Sequence, residues 1–190
     1  MSPRMGLDMN TILLAAAEIA DNLGVEEVTL AALAKRLNVR TPSLYNHIEG
    51  LQGLKRKLTL YGLQMLREDL SNAAIGKSGD DAVHALADAY LSFARRHPGL
   101  YTITLNVADH NDNELQKAAS DVLDIVLKVL NAFNLDGDAA IHATRGLRSV
   151  LHGFSSLEQN NSFGLSQKVD ESLHLTINAL LASFHNGYMF

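Results

Sequence analysis

VTLAALAKRLNVRTPSLYNHIEGLQGL, residues 28–54, is the stretch on which the reading of this chain turns. Thr29 is a capping residue. Behind it Leu30, Leu33, Ala34 and Leu37 fall at i, i+3, i+4 and i+7, one apolar stripe on a single helical face. The spacing predicts a helix ending at Asn38, a turn plugged by Val39, a second cap at Thr41, and a new helix opening at Pro42, where proline's missing N–H costs nothing. At about 100° per residue, Leu44 and Ile48 mark the buried side of this second helix. Pro42, Ser43 and Asn46 then point away, with Tyr45 and His47 on the flanks. A helix with a small, polar and aromatic outer face, held by a partner across a short turn, has the shape that enters a DNA major groove. An ordinary helical hairpin within a larger bundle is the alternative.

The net charge of −5 looks unsuited to nucleic acid until it is divided along the chain. Residues 1–57 carry seven Lys/Arg against six Asp/Glu, and residues 58–190 carry nine against fifteen, so +1 and −6 recover −5. Between positions 35 and 57, Lys35, Arg36, Arg40, Lys55, Arg56 and Lys57 face only Glu49, a local +5. That bracket of cations is what neutralising phosphates on both sides of a groove requires; a solvated basic face is the alternative.

The chain has 190 residues, 47% hydrophobic, with three prolines and no cysteine. Disulfides, thiolate metal sites and cysteine nucleophiles are therefore excluded. No apolar run reaches the roughly 18 residues of a membrane span, and MSPRMGLDMN lacks the apolar core of a signal peptide, so a cytoplasmic protein is expected. Nothing alternates as strands do, and the expectation is an all-α chain.

In order, a first helix should run from about Asp8 to Leu23 on a stripe of Ile12, Leu13, Ala16, Ile19, Ala20 and Leu23, with Gly24 as a left-handed cap. It completes a three-helix head. A long fourth helix, about Leu51 to Ser71, bridges to the rest, and the loop AAIGKSGDD (73–81) follows. A fifth helix runs from a cap at Asp80 to the Pro98–Gly99 break. The segment LYTITLNVA (100–108) is β-branched but placed for helix. A seventh helix opens at Asn111 or Asp112 and reaches Phe133, an eighth opens at Asp136–Gly137–Asp138, and Asp170 caps a ninth.

This head, followed by TLAALAKRLNVRTPSLYNHIEGLQGL and a long fourth helix, resembles the TetR family of bacterial transcriptional repressors over about residues 8–60. Leu33, Ala34, Val39, Ser43, Leu44, Tyr45 and His47 match the family's pattern in register. FARRHPGLYTITL and LRSVLHGFSSLEQNNSFG are similar to a branch whose ligand domain carries a His-Gly pair in helix eight, here His152–Gly153. Two departures matter. Leu51 stands where the family usually has lysine, which leaves phosphate contact there to Lys55 or a backbone N–H, and Ala31 lacks the longer polar side chain some members use on bases.

Enzymatic motifs fail on spacing. There is no G-x-G-x-x-G and no P-loop, Gly153-Phe154-Ser155-Ser156-Leu157 misses the final glycine of a nucleophile elbow, and Glu171 to His174 is a single E-x-x-H where a bundle di-iron site needs two. Asp109 to Ser120 lacks the glycine and glutamate of a calcium loop. No cofactor or metal is expected.

The chain is thus expected to be a two-domain, all-α, homodimeric regulator, most simply a repressor. Residues 1–57 would bind a partly palindromic double-stranded operator, and residues 58–190 would dimerise and bind a small organic effector. Thr29, Arg40, Thr41, Pro42, Ser43, Tyr45, Asn46, His47 and Lys55 are the candidate DNA contacts, with a core role the alternative for Tyr45. Two heads must land about 34 Å apart or a multiple of a turn beyond. Leu173, Ile177, Leu180, Leu181 and Phe184 form a terminal stripe that would pair two chains or else close the core of one. The resemblance implies an effector cavity, and Tyr90, Phe93, Tyr101, Phe133, Arg148, His152 and Phe154 lie on plausible inner faces of helices five to eight. The rival reading is a helical ligand-binding or adaptor protein with a vestigial helix-turn-helix.

Overall fold

The computed structural model describes residues 7–105 and 111–186, and all its regular structure is helical. In chain order the helices are α1 (Met9–Leu23), α2 (Leu30–Leu37), α3 (Thr41–Leu44), α4 (Gly50–Ala74), α5 (Gly79–Arg96), α6 (Pro98–Leu105), α7 (Asn113–Leu130), α8 (Gly137–Gln159) and α9 (Val169–Asn186). The β-branched segment is helical through Leu105; its last residues, 106–108, lie outside the described residues. No helix among the described residues is long and apolar enough to cross a membrane.

The helix starts follow their capping chemistry. Asp8 accepts from Thr11 N–H at 2.7 Å and Thr29 accepts from Ala32 N–H at 3.1 Å, so each side chain satisfies a donor the helix leaves unpaired. The Thr11 amide is the main reason the Asp8 carboxyl titrates below its ordinary value. α2 ends on left-handed Asn38, with Val39 N–H returning to Ala34 O at 3.0 Å. Three expected N-caps are displaced, the first being Asp80, which lies in the first turn of α5 rather than before it. α3 begins at Thr41, with Arg40 at its N-cap, so Thr41 is inside the helix. Asp170 is likewise inside α9 and spends its carboxylate on Arg95. Gly24 sits at φ 101 and ψ 158, an extended glycine-only conformation rather than a left-handed turn.

The described residues group into two compact units: those up to Gln64 together with Arg96–Ala118, and Met65–Arg95 together with the residues from Ala119 onward. The first unit is drawn from two stretches of the chain because α6 is fastened to α1. Gly99 lies so close to Ala20 that an added Cβ would overlap the Ala20 carbonyl group. Asp21 stands beside this contact as a surrogate cap for α6. It accepts from Gly99 N–H at 2.9 Å and Leu100 N–H at 3.0 Å, and its other oxygen meets His97 Nδ1 at 2.9 Å. In the first unit Ile12, Ala16, Leu33, Leu44, Leu54, Leu58, Leu100 and Tyr101 are buried.

The second unit closes on Val83, Leu86, Phe93, Leu130, Leu147, Leu151, Leu173 and Ile177. Its α5 and α9 are laced by side chains: Asp80 to His185 at 2.8 Å, His84 to Asn178 at 2.8 Å, Asp88 to His174 at 2.7 Å and Arg95 to Asp170 at 2.5 Å. Arg95 also forks onto Glu158 of α8 at 2.8 and 2.9 Å.

Candidate nucleic-acid interface

The outer surface of α3 follows from what it buries. Leu44 is fully buried and Ile48 nearly so, and the chain tightens after Leu44 into a turn in which His47 and Ile48 N–H both return to Leu44 O, at 2.9 and 3.0 Å. This anchoring leaves Pro42 and Asn46 exposed and Ser43 and His47 half-buried. Tyr45 is 59% exposed, which removes the core alternative for its ring. Arg40 at the N-cap of α3 is exposed, and Lys55, in the second turn of α4, is half-buried. Thr41 is half-buried, and the Thr29 hydroxyl is already committed to capping α2.

The cation bracket is smaller than the local charge count implied. Arg36 is paired with Glu18 of α1, its Nε donating at 3.0 Å. Arg56 is held by Asp112 and Glu114, so carboxylates distant in sequence fold back onto two of the six cations. Lys35, Arg40, Lys55 and Lys57 make no ion pair among the described residues.

The other candidate sites fare differently. Tyr90 and Phe93 are buried in the second unit, whereas Tyr101 is buried in the first. Phe133 packs edge-on to Phe184 and His185, with ring centroids 5.7 and 5.2 Å away. Phe154 meets Phe163 of the following loop at 5.6 Å, and Arg148 is exposed while His152 is half-buried. In the terminal stripe Leu173, Ile177, Leu181 and Phe184 are buried within the chain, and Leu180 keeps partial exposure. The contacts missed in the sequence are Asp21 with His97 and Gly99, Arg56 with Asp112 and Glu114, and the histidine pairs of α5 and α9. Among the described residues no three His, Asp or Glu side chains are grouped to hold a metal.

A capped α2, a Schellman turn and a short helix presenting a polar face over a buried Leu44 define a helix-turn-helix protein of the kind that regulates transcription. The chain belongs to the TetR family of transcriptional regulators. Residues 83–180 match the family described as Tetracyclin repressor-like, C-terminal domain. The chain is 42% identical over 184 residues to the HTH-type transcriptional regulator YobS of Bacillus subtilis, covering 96% of this chain and 95% of that protein. In fold it is similar to a Rhodococcus sp. RHA1 protein (20% identity, TM-score 0.83, 96% and 98% of the two chains). It is also similar to a Q116A variant of TetR from Acinetobacter baumannii, solved in complex with minocycline (20% identity, TM-score 0.70, 95% and 98%).

Proposed function

We propose that this regulator acts as a repressor, binding a partly palindromic operator as a homodimer and leaving it when a small organic effector binds. The observation that carries the DNA reading is the exposed face of Pro42, Tyr45 and Asn46, fixed from behind by Leu44 and Ile48 and flanked by Arg40 and Lys55. Tyr45 lays a ring along a sugar or thymine methyl and offers its hydroxyl to a phosphate, while His47 reaches the opposite flank. With leucine at position 51, phosphate contact at the start of α4 falls to Lys55 and to the backbone N–H groups of its first turn.

Dimerisation is assigned to a face other than the buried stripe. Gly146, Val150, Gly153 and Leu157 recur at helical spacing on one side of α8, and Leu157 and Leu175 are 47% and 70% exposed. A Cβ at Gly153 would meet nothing within 4 Å, which leaves this part of the face open to the close approach of a second chain, whereas one at Gly146 would stand 3.8 Å from Leu180 of α9. Effector binding is assigned to the second unit by analogy with the minocycline-bound structure.

The test selects duplexes from a random pool with the full-length protein. Tyr45→Phe together with His47→Ala should weaken binding of the selected duplex about tenfold or more at unchanged melting temperature. Undiminished affinity in the double variant sinks the contact assignment, and sedimentation as a 20.7 kDa monomer at micromolar concentration sinks the dimer.

A further inference from the structure

Arg56 belongs to the run Lys55, Arg56, Lys57 in the second turn of α4, the basic turn that follows the helix-turn-helix. Two carboxylates from the start of α7 hold its guanidinium. Nε and Nη2 donate to the two oxygens of Asp112 at 2.5 and 2.9 Å, and Nη2 donates to Glu114 Oε2 at 2.7 Å. All three residues lie in the first compact unit. This is the forked geometry that distinguishes an ordered ion pair from the many surface pairs that contribute nothing. Asp112 is fixed a second time, because its Oδ1 accepts the N–H groups of Glu114 and Leu115 at 3.1 Å each and so caps α7. The Arg56 hydrogen bonds are the main cause that holds the Asp112 carboxyl below the ordinary carboxylate range. Lys55 and Lys57 on either side make no ion pair among the described residues.

We propose that Asp112 and Glu114 mask Arg56 from DNA phosphate, so that in this basic turn backbone contact is carried by Lys55 and Lys57 alone. The inference rests on the DNA-binding reading above. Three of the five guanidinium N–H donors, Nε and both on Nη2, are occupied by carboxylates, and moving these to a phosphate exchanges one anion for another. Each phosphate neutralised steepens the dependence of log affinity on log salt by about 0.9, so the masked arginine is one contact withheld from the sequence-independent part of binding. Its release strengthens binding to every duplex by a similar factor, without changing which bases are read.

The test titrates a short labelled duplex of arbitrary sequence with the full-length protein over a range of salt concentrations. Wild type is compared with D112N/E114Q, R56A, the triple variant and K55A. The D112N change keeps a side-chain oxygen that accepts the first amides of α7, which keeps the double variant folded. D112N/E114Q should bind about three- to tenfold tighter at low salt, with a slope steeper by about 0.9. R56A should match wild type within about twofold, and the triple variant should match R56A. R56K, which keeps the cation and loses the fork, should also bind more tightly than wild type and gives a second measure should the double variant melt early. The mask is overturned if R56A weakens binding as K55A does, since Arg56 would then already contact phosphate. Equal tightening by D112N/E114Q in the R56A background also overturns it, because the gain would be a long-range effect of removing two carboxylates. If no protein in the set shows salt-sensitive duplex binding, the DNA-binding reading itself fails; if wild type binds and no variant differs from it, only the mask fails.

Discussion

The seam between α1 and α6 and the seam between α5 and α9 are built on opposite principles. In the first, a carboxylate reaches backbone: Asp21 takes two main-chain N–H groups, and Gly99 brings α6 against the Ala20 carbonyl with no side chain between them. In the second, side chain meets side chain, through Asp80–His185, His84–Asn178, Asp88–His174 and Arg95–Asp170. A backbone-directed contact fixes a helix to within the length of a hydrogen bond and admits almost no substitution. A ladder of exposed side chains spreads its effect over many weak rungs, each replaceable.

The hardest blow to this contrast is G99A. The new methyl would overlap main-chain atoms that have no rotamer to escape into, so a loss above about 3 kcal/mol is expected, on the order of 10 °C in melting temperature. An unchanged melt would show that α1 and α6 do not approach so closely. D21A comes next. It strips two amides and the His97 ring of their acceptor, an expected loss of about 1–3 kcal/mol, and D21N should restore part of it because the amide oxygen still accepts. Smaller still, H174Q or D88N should cost under about 1 kcal/mol, since the pair is roughly half exposed. A larger loss from either would give the ladder the weight assigned here to the backbone seam.

The smallest effect is one of pH. Asp170 and Asp112 are both held below the usual carboxylate range, each first by its arginine's hydrogen bonds. A depressed folded-state pKa contributes stability above the unfolded value near 3.9 and loses it as pH falls through the folded value, so both clamps should hold from pH 8 to 5 and give way only below about pH 4. Thermal melts across that range check this. A fall that begins well above pH 5 in wild type and vanishes in D170N would show that this carboxyl is not held low.

These seams also mark the limit of what the sequence disclosed. The helices were legible because caps and stripes are local: Asp8, Thr29 and Asn38 stand within four residues of the groups they satisfy. The recognition face was legible for the same reason, one short helix with Leu44 and Ile48 behind it. Partners distant in sequence left no such trace. His97-Pro98-Gly99 was legible only as a break, since nothing nearby announces that Asp21 will cap it. Arg36 and Arg56 counted as cations for DNA because Glu18 and Asp112 are 18 and 56 residues away. Apolar periodicity assigns faces but not neighbours. Leu23 and Leu175, on or beside their stripes, are exposed, whereas Leu173, Ile177, Leu181 and Phe184 of α9 are interior.

The interleaving of the first unit has a consequence for its synthesis. Its early residues, up to Gln64, leave the ribosome well before Arg96–Ala118, the segment that supplies Gly99, Asp112 and Glu114. At about 5–20 residues per second, the intervening chain delays those partners by several seconds. During that interval Asp21 is without the α6 amides it accepts, and Arg56 is a bare cation beside Lys55 and Lys57. In that interval the head carries one more unpaired cation than it does in the finished protein, and the sealing of α1 by α6 waits until about half of the chain has been made.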